Sequence, residues 1–176
     1  VKWIEDPSRA VRQACCNAIA GIDHSTAREA LRISVQKGSS SSAESALRAL
    51  LSAKSAATVS AGVDIAMESN ALPEPLLARI LIDSRNPAFA ERIRGIARSG
   101  GKEARLRALE AIAGDRSPEV PLIFAEAFTS PDREIRDAAL NAAAARLEQG
   151  DQRLRSLVIN EALKRMRMNP SDSLSA

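Results

Sequence analysis

One histidine and two cysteines are all that the chain offers toward metal or nucleophilic chemistry: His24 and the adjacent pair Cys15-Cys16. Neighbouring residues on a helix point about 100° apart, so the two thiols are badly placed to bridge each other. They read as small apolar filler, and a secreted disulfide framework is not expected. His24 precedes Ser25-Thr26 and reads as a polar residue at a helix entry. A catalytic histidine would need a nucleophile or carboxylate set against it, and no motif supplies one. Carboxylates such as Glu103, Glu110 and Asp115 are scattered at ordinary surface density. A glycine-rich phosphate loop, a nucleophile elbow and a His-Glu pair at metal spacing are all missing from the sequence. We therefore expect no enzyme, no cofactor and no metal. The chemistry left is that of guanidinium groups, which hold carboxylates and phosphates.

The arginines recur in a pattern. Asp6-Pro7-Ser8-Arg9-Ala10-Val11-Arg12 leads into a run of small residues, and Pro131-Asp132-Arg133-Glu134-Ile135-Arg136 leads into another. Asn17 and Asn141 follow at the same distance. Arg12 and Arg136 lie 124 residues apart, four times 31. A 31-residue period places intermediate copies at Ala43, Glu74 and Arg105. The copy at Arg105 ends in Ala111-Ile112-Ala113-Gly114, as the first ends in Ala18-Ile19-Ala20-Gly21. The copy around Ala43 matches in its small and apolar positions, and the copy around Glu74 keeps only the apolar pattern.

These copies are helices, with others predicted between them near 24–37, 55–69, 86–99, 118–129 and 151–167. In the first, 8–20, Val11, Ala14, Cys15, Ala18 and Ile19 give the apolar spacing, and Gly21 ends it. Ala27, Ala30, Leu31 and Val35 form the face of the second, with Ser25 or Thr26 as its N-cap. Gly38 stops it, and one serine of Ser39 to Ser42 caps the next. The helix over 55–69 has low amphipathicity, through Val59, Val63, Ile65 and Met67. The stretch from Pro75 to Ile82 reads as the most apolar helix, at the middle of the core. Gly100-Gly101 is a tight turn, Phe124 and Phe128 face the core together, and Leu154, Leu157, Val158 and Leu163 point inward near the end. The final helix carries the basic run Lys164-Arg165-Met166-Arg167, and Asn169-Pro170 breaks it.

Two helices per 31 residues, joined by short turns, imply an all-α solenoid of about five helix pairs. With Asp6-Pro7 or Ser130-Pro131 ahead of the helix and Val11-Arg12 or Ile135-Arg136 inside it, the chain resembles the HEAT-repeat family, especially its short, bacterial-type repeats. The resemblance implies an armadillo-like superhelix over residues 1–168, with the second helices on the concave face, and 169–176 left as a disordered tail. It also implies that an arginine after the aliphatic residue ties one repeat to the next through a carboxylate or a helix C-terminus. Some HEAT-like solenoids are alkylpurine DNA glycosylases and others bilin lyases. That likeness is one of fold, with no residues here to carry it.

Composition narrows the partner. Hydrophobic residues make up 45% of the chain and aromatics only 2%, and 33 alanines make the core shallow and dependent on neighbouring helices. The net charge is +3, with a sequence pI near 9.2. Arg85 to Arg107 holds seven cations against two carboxylates. A basic ladder of Arg12, Arg48, Arg79, Arg105, Arg107 and Arg136 would suit an acidic protein segment or a nucleic-acid backbone. Scarce aromatics disfavour single strands, whereas duplex phosphates need none. The reading reached is a scaffold that binds a protein partner on the second-helix face, with phosphate-backbone binding as the alternative. The chain opens on Val1 just ahead of a second helix, so we expect a piece of a longer protein. Trp3 would cover its apolar edge, and dimerisation through that edge would be unsurprising. No apolar run reaches membrane-spanning length, and a cytoplasmic location is expected.

Overall fold

The computed structural model describes residues 2–68, 72–148 and 150–168. Among them are ten α-helices and no strand. The tail 169–176, expected to be disordered, lies outside the described residues, as do Asn70-Ala71 and the side chains of Arg165, Met166 and Arg167. The chain packs as two compact units, one ending at Arg92 and the other beginning at Ile93.

The first unit holds α1 (Arg9–Ala20), α2 (Ser25–Lys37), α3 (Ser40–Leu51), α4 (Ala56–Glu68) and α5 (Glu74–Ser84), with 3₁₀ turns at Lys2–Glu5 and Pro87–Phe89. α3 is its centre, packing on α1, α2, α4 and α5, while α2 also meets α4. Alternate helices thus lie side by side, α1, α3, α5 in one layer and α2, α4 in another. α3 can be surrounded because its inward residues are small: Ser42, Ala43, Ser45, Ala46, Leu47, Ala49 and Leu50 are all buried. The expectation that the helix from Pro75 sits at the middle of the core is corrected: small side chains let neighbours close around α3, whereas α5 buries Leu77, Ala78, Ile80 and Leu81. α4 buries Ile65 as read, together with Thr58, Gly62 and Ala66, leaves Val59 and Val63 half-buried and exposes Met67, so its inward face is turned toward its smaller residues. A Cβ on Gly62 would stand 2.9 Å from Leu50 Cβ, so α4 approaches α3 at its glycine rather than at Val59 or Val63. α1 likewise buries Cys16 and Ala20, while Val11, Ala14 and Ala18 are exposed.

The second unit takes in most of α6 (Ala90–Ser99), then α7 (Lys102–Ala111), α8 (Val120–Phe128), α9 (Arg133–Glu148) and α10 (Arg155–Met168), with 3₁₀ turns at Ile112–Gly114 and Gln152–Leu154. Its hub is α9, which packs on α7, α8, α10 and both turns. Phe124 and Phe128 are buried together as the spacing predicts. Leu154 is buried, but Leu163 is exposed, because α10 rests on α9 along one side only.

The helix starts follow the sequence signals with one change. Ser39 caps α3, its Oγ accepting from the Ser42 N–H at 3.3 Å. Asn86 Oδ1 accepts from the Ala88 N–H at 3.0 Å. At α2 the cap is His24 rather than Ser25 or Thr26: Nδ1 accepts from the Thr26 N–H at 3.2 Å.

Candidate functional site

The arginines of the expected ladder fall into four kinds of environment. Arg12 Nη1 donates to the carbonyls of Asp6 at 2.6 Å and Pro7 at 2.9 Å. Arg136 Nη1 donates to the carbonyls of Ser130 at 2.7 Å and Pro131 at 2.8 Å. The two side chains make the same clamp, each folding back over the turn that leads into its own helix. Those carbonyls precede the helix and have no partner in it, so the guanidinium supplies a charge-assisted donor where the backbone has none. Arg105 differs: its Nε donates to the Ala97 carbonyl at 3.0 Å, in the last turn of α6, where the helix dipole is negative.

Arg48 and Arg79 converge on one carboxylate. Glu44 Oε1, on α3, lies 3.1 Å from Arg48 Nε, 2.9 Å from Arg79 Nη2 on α5 and 3.4 Å from Arg9 Nη2 on α1. Arg48 Nη1 reaches on to Asp83 at 3.1 Å. The Glu44 side chain is only 16% exposed, so a single half-buried acid joins three neighbouring helices. Arg9–Glu44, Glu44–Arg79 and Arg48–Asp83 are each 35 residues apart in sequence. That is one 31-residue period plus one helical turn. Arg107 is half exposed, with Glu103 one turn away at 3.7 Å.

The second unit carries its own network. Arg94 binds Asp115 at 2.7 Å, and Arg98 lies 3.4 Å from Glu119. Lys102 bridges Asp132 at 3.1 Å and Glu134 at 2.8 Å. Arg146 is the buried member, 3% exposed. Its Nε meets Asp151 Oδ2 at 2.8 Å, and its Nη1 donates to the Asp115 carbonyl and, at 3.5 Å, to that of Ile112. The hydrogen bond from Arg153, then that from Arg146, holds the Asp151 carboxyl well below the usual carboxylate range. Sequence reasoning misses Arg146 because it follows an alanine run, and Glu44 because nothing in its own helix marks it apart from other surface carboxylates. The signal for Glu44 was available: it lies 35 residues from both Arg9 and Arg79.

The sulfur pair does no visible chemistry. Cys16 is buried, and burial, followed by the neighbouring Cys15, pushes its thiol up to about 11. Among the described residues, no group of three or more His, Cys, Asp or Glu could hold a metal ion, and no helix is long and apolar enough to cross a membrane. A shallow depression of about 360 Å³ lies between α8 and α10, with Phe128 and Leu157 in its wall and Lys164 at its edge. Compared with known protein families and with characterised proteins, the chain matches none.

Proposed function

We propose that the chain is a non-catalytic module for protein interaction, built as a HEAT-like solenoid of about five helix pairs. It would hold a partner segment on the face of α1, α3, α5, α7 and α9. The observation that carries this reading is the 35-residue spacing of the ties around Glu44. Ion pairs that recur at one period plus one turn are what stacked, equivalent helices produce. Such a stack offers a preformed surface that orders little on binding. The expectation that the arginine after the aliphatic residue ties one repeat to the next is corrected at Arg12 and Arg136, which bond to carbonyls of their own helix starts because those groups lie within reach and lack a helical partner, while Arg105 alone reaches the end of the preceding helix. Free thiols fit a cytoplasmic location.

The same observations weaken phosphate-backbone binding. Arg12, Arg48, Arg79, Arg105 and Arg136 all have intrachain partners, so their release would accompany any phosphate contact. Arg107 is the exposed member of the set, and its carboxylate neighbour stands at 3.7 Å. The discriminating experiment titrates labelled duplex DNA at low and moderate salt, with Arg107→Glu in parallel. Phosphate binding gives a log–log salt slope of about −0.9 per phosphate neutralised. A steep slope that Arg107→Glu flattens would overturn the scaffold reading. Absent or salt-insensitive DNA binding, together with protection of Arg48 and Arg79 from guanidinium-modifying reagent by an acidic peptide, is the expected result.

A further inference from the structure

Resting on the reading that α1, α3 and α5 present the binding face, we infer that the segment bound there is acidic, and that one of its Asp or Glu side chains is seated between Arg9 and Arg79, over Glu44. Arg9 opens α1, Glu44 and Arg48 lie one turn apart on α3, and Arg79 lies on α5. Arg9 Nη2 and Arg79 Nη2 both stand within 3.4 Å of a single oxygen, Glu44 Oε1. Arg48, the third cation, is taken up at 3.1 Å on either side, by Glu44 and by Asp83.

Three cations of this cluster face two carboxylates, so one positive charge is left over. With Arg48 matched by Asp83, the surplus sits on Arg9 and Arg79, which share Glu44. Like charges drawn this near repel, and a second carboxylate placed between them is favoured by both guanidiniums at once. A single carboxylate carries the charge that balances the cluster. A phosphate monoester, at about −1.5 to −2, would overshoot it.

The unused donors agree with the charge count. A guanidinium offers five N–H groups. Among the described residues Arg9 spends one of them, on Glu44 at 3.4 Å, the longest contact in the cluster, and its side chain is 70% exposed. Arg79 also gives one bond, to the same oxygen, and its side chain is 40% exposed. Glu44 is recessed between them, so it holds the pair together without covering their outward side. Two guanidiniums already fixed by a third group lose little freedom when an acid joins them. Ser40 and Ser41, exposed one turn before Glu44 on the same side of α3, offer hydroxyls to the backbone of a segment laid across the three helices.

Fluorescence anisotropy of a labelled hexaglutamate peptide tests this, with hexaglutamine as the uncharged comparison. The proteins are wild type, Arg9→Gln, Arg79→Gln, the double variant, and Arg32→Gln, which alters a cation of α2 paired with Glu29. Wild type should bind hexaglutamate and not hexaglutamine. Arg9→Gln and Arg79→Gln should each weaken binding at least about threefold, the size of an exposed ion pair. The double variant should weaken it by less than the product of the two, because one carboxylate is shared. Arg32→Gln should leave it unchanged. Arg9 is exposed at a helix start, so its variant stays informative even if Arg79→Gln fails to fold. Binding that both arginine variants leave intact would overturn the inference, as would losses that simply multiply. A peptide with one phosphoserine that binds more tightly than its glutamate counterpart would overturn it as well. A wild-type chain that ignores hexaglutamate would remove the acidic occupant alone, whereas the scaffold reading falls to the DNA titration.

Discussion

Arg146 gives the sharpest test of how the second unit is held together. It is 3% exposed, and its guanidinium serves Asp151, the Asp115 carbonyl and the Ile112 carbonyl at once. In Arg146→Met the stem is retained and the charge removed. Asp151 keeps its bidentate contact with Arg153, at 2.8 Å through each oxygen, so no carboxylate is stranded. The loss falls on the carbonyls. A hydrogen bond to a charged group contributes about 1.5–3 kcal/mol net. Counting Asp115 fully and the longer Ile112 bond as half, the expected cost is about 3 kcal/mol. In a chain of this size each kcal/mol moves Tm by about 2–4 °C, so melting should fall by about 6–12 °C. Arg146→Lys, which can serve one carbonyl at a time, should recover about half. Urea unfolding followed by circular dichroism and by intrinsic fluorescence checks that the transition remains a single one before free energies are compared. A Met variant within about 0.5 kcal/mol of wild type, the ordinary range for a surface change, would refute the reasoning, since it would mean water serves those carbonyls as well as Arg146 does.

Three further outcomes follow from the geometry. Gly62→Ala gains helix propensity of about 1 kcal/mol but drives a methyl to 2.9 Å from Leu50 Cβ; overpacking of about 1–3 kcal/mol should win, and a raised urea midpoint would sink the close-approach argument. Asp151 has its folded pKa depressed by Arg153 and Arg146, so its contribution is present above the ordinary carboxylate range and is lost as pH falls through and below it; acid unfolding of Asp151→Asn should be less steep, and identical acid limbs would count against the assignment. Glu44→Gln removes the acid shared by Arg9, Arg48 and Arg79; stability should drop by about 1 kcal/mol while heparin affinity rises, and unchanged heparin retention would show that those cations were never restrained by Glu44.

The helices were readable from the sequence because their punctuation is local. The Gly38 stop, the Ser39 cap, the Asn86-Pro87 entry and the Gly100-Gly101 turn act within a few residues of where they stand. Which side of each helix is covered was harder to read. On α4 the large residues Val59, Val63, Ile65 and Met67 suggested the buried face; Ile65 is buried, yet the tightest approach is made by the smallest residue, Gly62. On α1 the apolar spacing picked out Val11, Ala14, Cys15, Ala18 and Ile19; Cys15 and Ile19 are half-buried, but Val11, Ala14 and Ala18 lie outward. In an alanine-rich chain both sides of a helix look apolar, and periodicity alone does not choose between them. The arginines were found by position, but their roles were not. Arg12 and Arg136 bind carbonyls of their own turns, a local bond with no signature in side-chain pairing. Arg146 and Glu44 needed the neighbouring helix to be in place before their purpose was visible.

The short reach of these ties bears on how the protein is made. The arginine clamps close over five or six residues, and the Glu44 ties over 35. Even the bond from Ser42 to Glu5, which joins α3 to the first 3₁₀ turn, spans only 37. A ribosome adding about 5–20 residues per second supplies such a partner within seconds. Each helix of the first unit can therefore be fastened to its predecessor soon after it emerges, before the second unit has been synthesised. In the first unit these partners lie within 37 residues of each other, which keeps the apolar sides of its helices exposed only briefly during synthesis.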